Sequence, residues 1–207
     1  NADESRGGSD WLGGLAAHFR RRRAREAVAD ALYGAVVDQA RQPWFYTTCD
    51  VPDSRDGRLE LIYFHAILVM RRLRVEGEAG RELAQALFDL LFLDVDRHLR
   101  EWGVGDLSVG KQVKRLAQSF YGRAAAVDPL LELGDVPGLE LVLARNLDRD
   151  RHPSSEGGDA RLARYLIAQA RSLDGADGTA LLRGSVPFAQ PGADPRDTEP
   201  AVGSGSG

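Results

Sequence analysis

The stretch Leu61-Ile62-Tyr63-Phe64-His65-Ala66-Ile67-Leu68-Val69-Met70 constrains the fold more than any other part of the chain. His65 is its only interruption, so on a helical wheel apolar side chains fall on nearly every side rather than along one stripe. A helix of that kind is covered by neighbours almost all round. A short apolar run can also be a buried strand. Here the pattern continues through Leu73 and Val75 with no glycine or proline to punctuate it, which favours helix. The run is far shorter than the roughly 20 residues a membrane-spanning helix needs.

A covered helix requires amphipathic partners, and the flanking sequence supplies them. Val28, Leu32, Ala35, Val36 and Gln39 recur at helical spacing up to Arg41, and Pro43 ends that helix because it restricts the residue before it. Residues 42–57 read as a loop. The central helix then starts near Arg58 with Asp56 or Gly57 at its cap. Leu83, Leu87, Leu90, Leu91, Val95 and Leu99 line a third helix from about Glu78 to Trp102, closed by Gly103. Ser108 is the expected cap of a fourth helix with Val109, Val113, Leu116 and Phe120 on its stripe. Asp135 and Pro137 open a fifth, and Asp159 a sixth carrying Leu162, Tyr165, Leu166, Gln169 and Leu173. Residues 181–188 read as a docked extended segment. No βαβ pattern occurs. The expectation is an all-α, single-domain bundle of about six helices over residues 11–188, with a flexible N-terminus (1–10) and a disordered tail or linker (189–207).

With 27 basic and 31 acidic residues, the formal net charge is −4. No bulk charge draws the chain to nucleic acid, and no specific nucleic-acid ligand is expected. The single cysteine, Cys49, rules out an intrachain disulfide and any zinc site needing two cysteines from this chain. The polar first residues carry no apolar leader, so no secretory signal is expected. Lysine occurs only at Lys111 and Lys114; every other basic side chain is arginine.

Three patterns resemble chemical sites. Gly105-Asp106-Leu107-Ser108-Val109-Gly110-Lys111 has the spacing of a phosphate-binding loop. However, Gln112 replaces the magnesium-binding hydroxyl, and a helix rather than a strand precedes it, so nucleotide binding is not expected. Asp94 and His98 are four residues apart with His65 on the preceding helix, a set that could ligate a metal, yet the paired Glu-x-x-His repeats of bundle di-metal sites are absent. Asp50, Asp53 and Asp56 lack the two-residue spacing of a calcium loop. No catalytic constellation stands out, and neither a cofactor nor an enzyme activity is expected.

Two groups suit contact with partners. Trp44, Phe45 and Tyr46 are adjacent aromatics in a loop that either pack back on the core or anchor a partner, and Lys111, Lys114, Arg115 and Arg123 form a basic group that is either a solvated helix face or a contact for acidic or phosphate groups. Trp11, Leu12, Leu15 and Phe19 followed by Arg20, Arg21, Arg22 and Arg23 make an apolar stripe ending in an arginine block, suited to an anionic membrane surface.

Several segments occur together in order: Ala40-Arg41-x-Pro43-x-Phe45-Tyr46, Val51-Pro52-Asp53-Ser54-x-Asp56-Gly57-Arg58, His65-x-x-Leu68-Val69-x-Arg71-Arg72-Leu73, Gln85-Ala86-Leu87-Phe88-Asp89, Asp96-x-x-Leu99-Arg100-Glu101-x-Gly103-Val104-Gly105-Asp106, Val109-Gly110-Lys111-x-Val113-Lys114 and Phe120-Tyr121-Gly122-Arg123. The set resembles the ubiquinol–cytochrome c chaperone family, densely over residues 28–125 and thinly from 135 to 175. Leu93-Asp94-Val95-Asp96 departs from the Asp-Met-Asp expected there. The resemblance implies an all-helical, non-enzymatic assembly chaperone that holds newly made cytochrome b of respiratory complex III, with a small co-chaperone as a further partner. It places the protein on the cytoplasmic face of a bacterial inner membrane, as the arginine bias favours, or in a mitochondrial matrix. The rivals are a metal-binding protein or enzyme built on His65, Asp94 and His98, and an accessory structural subunit of a membrane complex.

Overall fold

The computed structural model describes residues 7–147 and 157–192, with side chains from Phe19 onward except Leu107. Eight helical segments and no strand are present among these residues: α1 (Gly7–Ala40), α2 (Trp44–Thr47), α3 (Arg55–Leu73), α4 (Gly77–Glu101), α5 (Asp106–Leu133), α6 (Val136–Asn146), α7 (Gly158–Asp174) and α8 (Gly178–Leu181). The all-α expectation therefore holds, with two short turns of helix added to the six main elements.

The apolar run becomes the hub. α3 packs against α1, α4, α5 and α7, and from Tyr63 through Val69 every side chain is buried. This is how a helix with no polar face is satisfied. α1 lies along α4, α4 along α5, and α6 along α7. Arg25 meets Glu82 and Tyr33 meets Asp94, so α1 and α4 run in the same direction. α3 runs against both.

Local chemistry fixes the joints. Pro43 separates α1 from α2, whose single turn lies inside what the sequence presented as loop. α3 is capped by Ser54, one turn earlier than expected. The Ser54 hydroxyl accepts from the Gly57 amide at 3.1 Å, so Asp56 and Gly57 fall within the first turn. A side chain at Gly57 would put its Cβ 2.1 Å from the Pro52 carbonyl oxygen, which is why glycine stands there. Gly103, at φ 78°, closes α4 as the sequence indicated. Gly105, not Ser108, caps α5: its carbonyl accepts from both Ser108 and Val109, leaving Ser108 inside the helix. Asp135 caps α6 through Gly138 as predicted. At α7 the cap is Gly157, and Asp159 lies in the first turn, where a carboxylate favours the helix dipole.

The C-terminal segment is more ordered than expected. Val186 and Phe188 pack on the core, and the Ala189 carbonyl accepts from both Gln39 and Gln169 at 2.9 Å. Gly192 rests against the Trp44 indole. Docking thus extends through Gly192, four residues into the expected tail, because two carboxamides capture a backbone that has no secondary structure of its own. Residues 1–6, 148–156 and 193–207, which include most of both expected tails and of the polar loop before α7, lie outside the described residues. Residues 7–10, expected to be flexible, belong to α1.

Candidate partner-binding cleft

Where α1 and α4 end and α3 begins, the bundle leaves an open cleft of about 560 Å³. Val37 of α1, Leu59 and Ile62 of α3, Val95 and Leu99 of α4, and Leu116 of α5 form its apolar lining. Tyr46 of α2 and Trp102 at the end of α4 add aromatic edges; Trp102 is 44% exposed. This size and lining suit a bound apolar group.

The rim is cationic. Arg41, Arg55 and Arg58 line one part of it. Arg58 donates to Asp53 at 2.6 Å. The Arg55 guanidinium lies over the Trp102 ring, 4.7 Å from its centroid. Neither Arg41 nor Arg55 meets a carboxylate among the described residues. Asp94, the carboxylate of the lining, is already engaged. It accepts from the Tyr33 hydroxyl at 2.8 Å, pairs with Arg97 at 3.1 Å, and lies 3.3 Å from His98 Nδ1. Burial, then the bond to Asp94, raises the Tyr33 phenol well above its ordinary value, so it remains a donor. Burial likewise raises that of Tyr46, whose hydroxyl donates to the Ala40 carbonyl.

The aromatic triplet divides three ways. Phe45 is wholly buried, with ring contacts to His65 (5.3 Å) and Tyr165 (5.0 Å), which removes it from any partner surface. Trp44 is half-buried between Phe45, Tyr165 and the C-terminal segment. Tyr46 alone of the three lines the cleft. The basic group divides as well. Lys111, Lys114 and Arg115 are exposed on α5, whereas Arg123 is buried. It donates to Glu60 (2.8 Å) and Asn146 (2.8 Å), and its guanidinium lies over the Tyr63 ring. This pair ties α3 to α5 and α6. Burial outweighs the nearby Arg123 and pushes Glu60 up to about 7. Phe19 and Arg20 through Arg23 are exposed on α1, while the side chain of Trp11 lies outside those described.

The patterns that resembled chemical sites are resolved by geometry. Residues 106–111 are the first turns of α5 and follow α4, so no loop is available to wrap a phosphate. His65 is fully buried away from the cleft. Its Nδ1 donates to the Leu61 carbonyl (2.7 Å), and its Nε2 accepts from the Tyr165 hydroxyl (2.9 Å), which in turn accepts from Gln39. Desolvation lowers its pKa to about 4, so it is neutral. Both ring nitrogens are occupied, and His65 shares no cluster with Asp94 and His98. Among the described residues no group of three or more His, Cys, Asp or Glu is placed to hold a metal ion.

The cleft was not assembled by sequence reasoning. Arg41 and Arg58 stand in the ordered segments quoted above, and Leu116 stands on the α5 stripe. Arg55 occupies a variable position between motif residues, and Tyr33 and Trp102 carry no local signal at all. Only the parallel run of α1 beside α4 brings them together.

Comparison with known proteins is consistent with this architecture. Residues 47–188 match the family model described as ubiquinol-cytochrome C chaperone. The chain is 22% identical over 151 residues to mouse ubiquinol-cytochrome c reductase complex assembly factor 1, and 23% over 155 residues to its Xenopus laevis counterpart. Each match spans 73% of this chain, with 50% of the mouse protein and 74% of the frog protein. Against the mouse and human proteins the chain spans half their length. The crystal structure of the Cbp3 homolog from Brucella abortus superposes with a TM-score of 0.75 at 34% identity, covering 85% of this chain and 96% of that one.

Proposed function

The chain belongs to the ubiquinol-cytochrome C chaperone family, and from that premise we propose that it captures newly made cytochrome b through the cleft between α1, α3 and α4 and promotes complex III assembly without chemistry of its own. The observation that carries this reading is an open cleft with a largely apolar lining, in a family of complex III assembly chaperones. An apolar client segment leaving water there gains hydrophobic free energy, about 25 cal/mol per Å² of apolar surface covered. Tyr46 and Trp102 supply the aromatic edges that commonly anchor interfaces.

Two further surfaces fit the same role. Phe19 with Arg20 through Arg23, together with Trp11 upstream, would hold the protein against anionic lipid where an apolar client emerges. Among the described residues no helix is long and apolar enough to cross a membrane, so on this reading contact is peripheral, at the cytoplasmic face of a bacterial inner membrane. The exposed cations Lys111, Lys114 and Arg115 offer a separate face to a small co-chaperone.

Deletion of the protein is expected to lower cytochrome b and complex III together. Re-expression of the unaltered chain restores both, whereas Ile62→Trp, which fills the cleft, does not. A photo-crosslinker placed at Leu116 is expected to capture newly synthesised cytochrome b. Normal complex III in the deletion strain would remove the chaperone reading. Full rescue by folded Ile62→Trp would move the client elsewhere on the surface.

A further inference from the structure

We infer that the client segment held in the cleft is a short apolar helix bearing a carboxylate, and that Arg41 and Arg55 read that carboxylate; this rests on the cleft being the client site.

The argument begins with unspent charge. Arg58 is matched by Asp53, and Asp94 by Arg97. What remains at the rim is the charge of Arg41 and Arg55, beside an apolar floor. Elsewhere the fold supplies carboxylates to several of its arginines: Arg71 meets Asp174, Arg74 meets Asp128, Arg100 meets Asp96 and Asp106, and Arg123 meets Glu60. What sets Arg41 and Arg55 apart from the exposed arginines on other faces is their place in one lining with the apolar side chains of the floor, where a ligand that covers the floor brings its own charge beside theirs. Stacking on Trp102 holds the Arg55 guanidinium by its face and leaves its N–H edge to donate, the geometry that takes a carboxylate in two parallel bonds.

Shape selects a helix. The lining positions run from Tyr33 on α1 to Arg41 just past its end, and from Asp94 on α4 to its cap residue Trp102. Each is two helical turns long, about 12 Å at 1.5 Å per residue. Two parallel ridges of that length with an apolar floor match an amphipathic helix laid in a groove, with its anchors on one face and its charge at the edge. An acyl chain would favour a narrow enclosed tunnel, and this cleft is open along its cationic side.

The test uses the full chain and two fluorescent helical peptides rich in Leu and Phe that differ at one edge position, Glu or Gln. The Glu peptide is expected to bind tighter by about tenfold or more at low salt, as a two-point charge-assisted contact allows. That preference shrinks with added salt and disappears in Arg41→Gln/Arg55→Gln, which still binds the Gln peptide. Equal binding of the two peptides to the unaltered protein overturns the carboxylate inference and leaves the cleft reading standing. Binding of neither overturns both. Tighter binding of a single-chain anionic lipid than of either peptide assigns the cleft to lipid and overturns the inference.

Discussion

α3 separates two regions built by opposite rules. On its Leu61–His65 side, α2, α7 and the C-terminal segment close over the helix, and both ring nitrogens of His65 find partners. On its Leu59–Ile62 side no described element closes, apolar side chains face an open cleft, and Arg41 and Arg55 meet no carboxylate among the described residues. The same helix thus serves one face for stability and leaves the other open; on the proposed function, that face is the client's. A buried polar group is tolerable only when matched, while an unmatched charge is tolerable only where water or a ligand reaches it.

Substitutions should separate the two. Phe45→Ala removes a wholly buried ring from the closed side and should cost about 3–5 kcal/mol, read as a large fall in the denaturation midpoint. If client capture fell while stability held, the division would be wrong. Next in size is the pH dependence. Burial holds His65 neutral, with its folded pKa lowered from the ordinary 6.5 to about 4. The unfolded chain therefore binds more protons across that window, and His65 makes stability fall on acidification. Glu60 runs the other way. Its folded pKa of about 7 against 4.5 means the folded state binds the extra proton, so its contribution falls as pH rises through that window. Between 4.5 and 6.5 the two oppose each other. Glu60→Gln should unmask His65: relative to the unaltered protein, its unfolding free energy should climb by about 3 kcal/mol from pH 4.5 to 7. Parallel profiles for the two proteins would contradict the Glu60 assignment.

Tyr165→Phe is a smaller probe of the closed side. It leaves the His65 Nε2 acceptor unmatched and removes the hydroxyl that Gln39 meets, a loss of about 1–3 kcal/mol with the ring contacts retained. On the open side, Arg41→Gln/Arg55→Gln should change stability by no more than about 0.5 kcal/mol, while complex III accumulation in a complemented deletion strain falls. A stability loss as large as that of Tyr165→Phe would mean these arginines are structural after all.

The closed region was largely legible beforehand. An apolar run with no polar face announces a central helix, and Tyr165 and Leu166 declare themselves by helical spacing, whereas Phe45 stood open between core and partner contact until the structure buried it. Caps were misplaced by up to one turn, at Ser54, Gly105 and Gly157, because several residues with capping chemistry stand side by side and backbone geometry chooses among them. The cleft was not legible. Its walls come from residues far apart in sequence, and what defines it is the absence of a partner, which no local pattern encodes. Arg123 was misassigned for a related reason: nothing in Phe120-Tyr121-Gly122-Arg123 reveals that Glu60, 63 residues upstream, waits inside.

The clasp on Ala189 gives the molecule an order of birth. Every residue that lines the cleft lies between Tyr33 and Leu116, so the ribosome delivers all of them before α6 and α7 are made. His65, however, lacks its Tyr165 partner until 100 more residues have been added, and Gln39 is 150 residues upstream of the carbonyl it holds. Every residue of the cleft is thus made before the segment that bonds α1 to α7, so the closed side is the last part of the molecule to receive its partners.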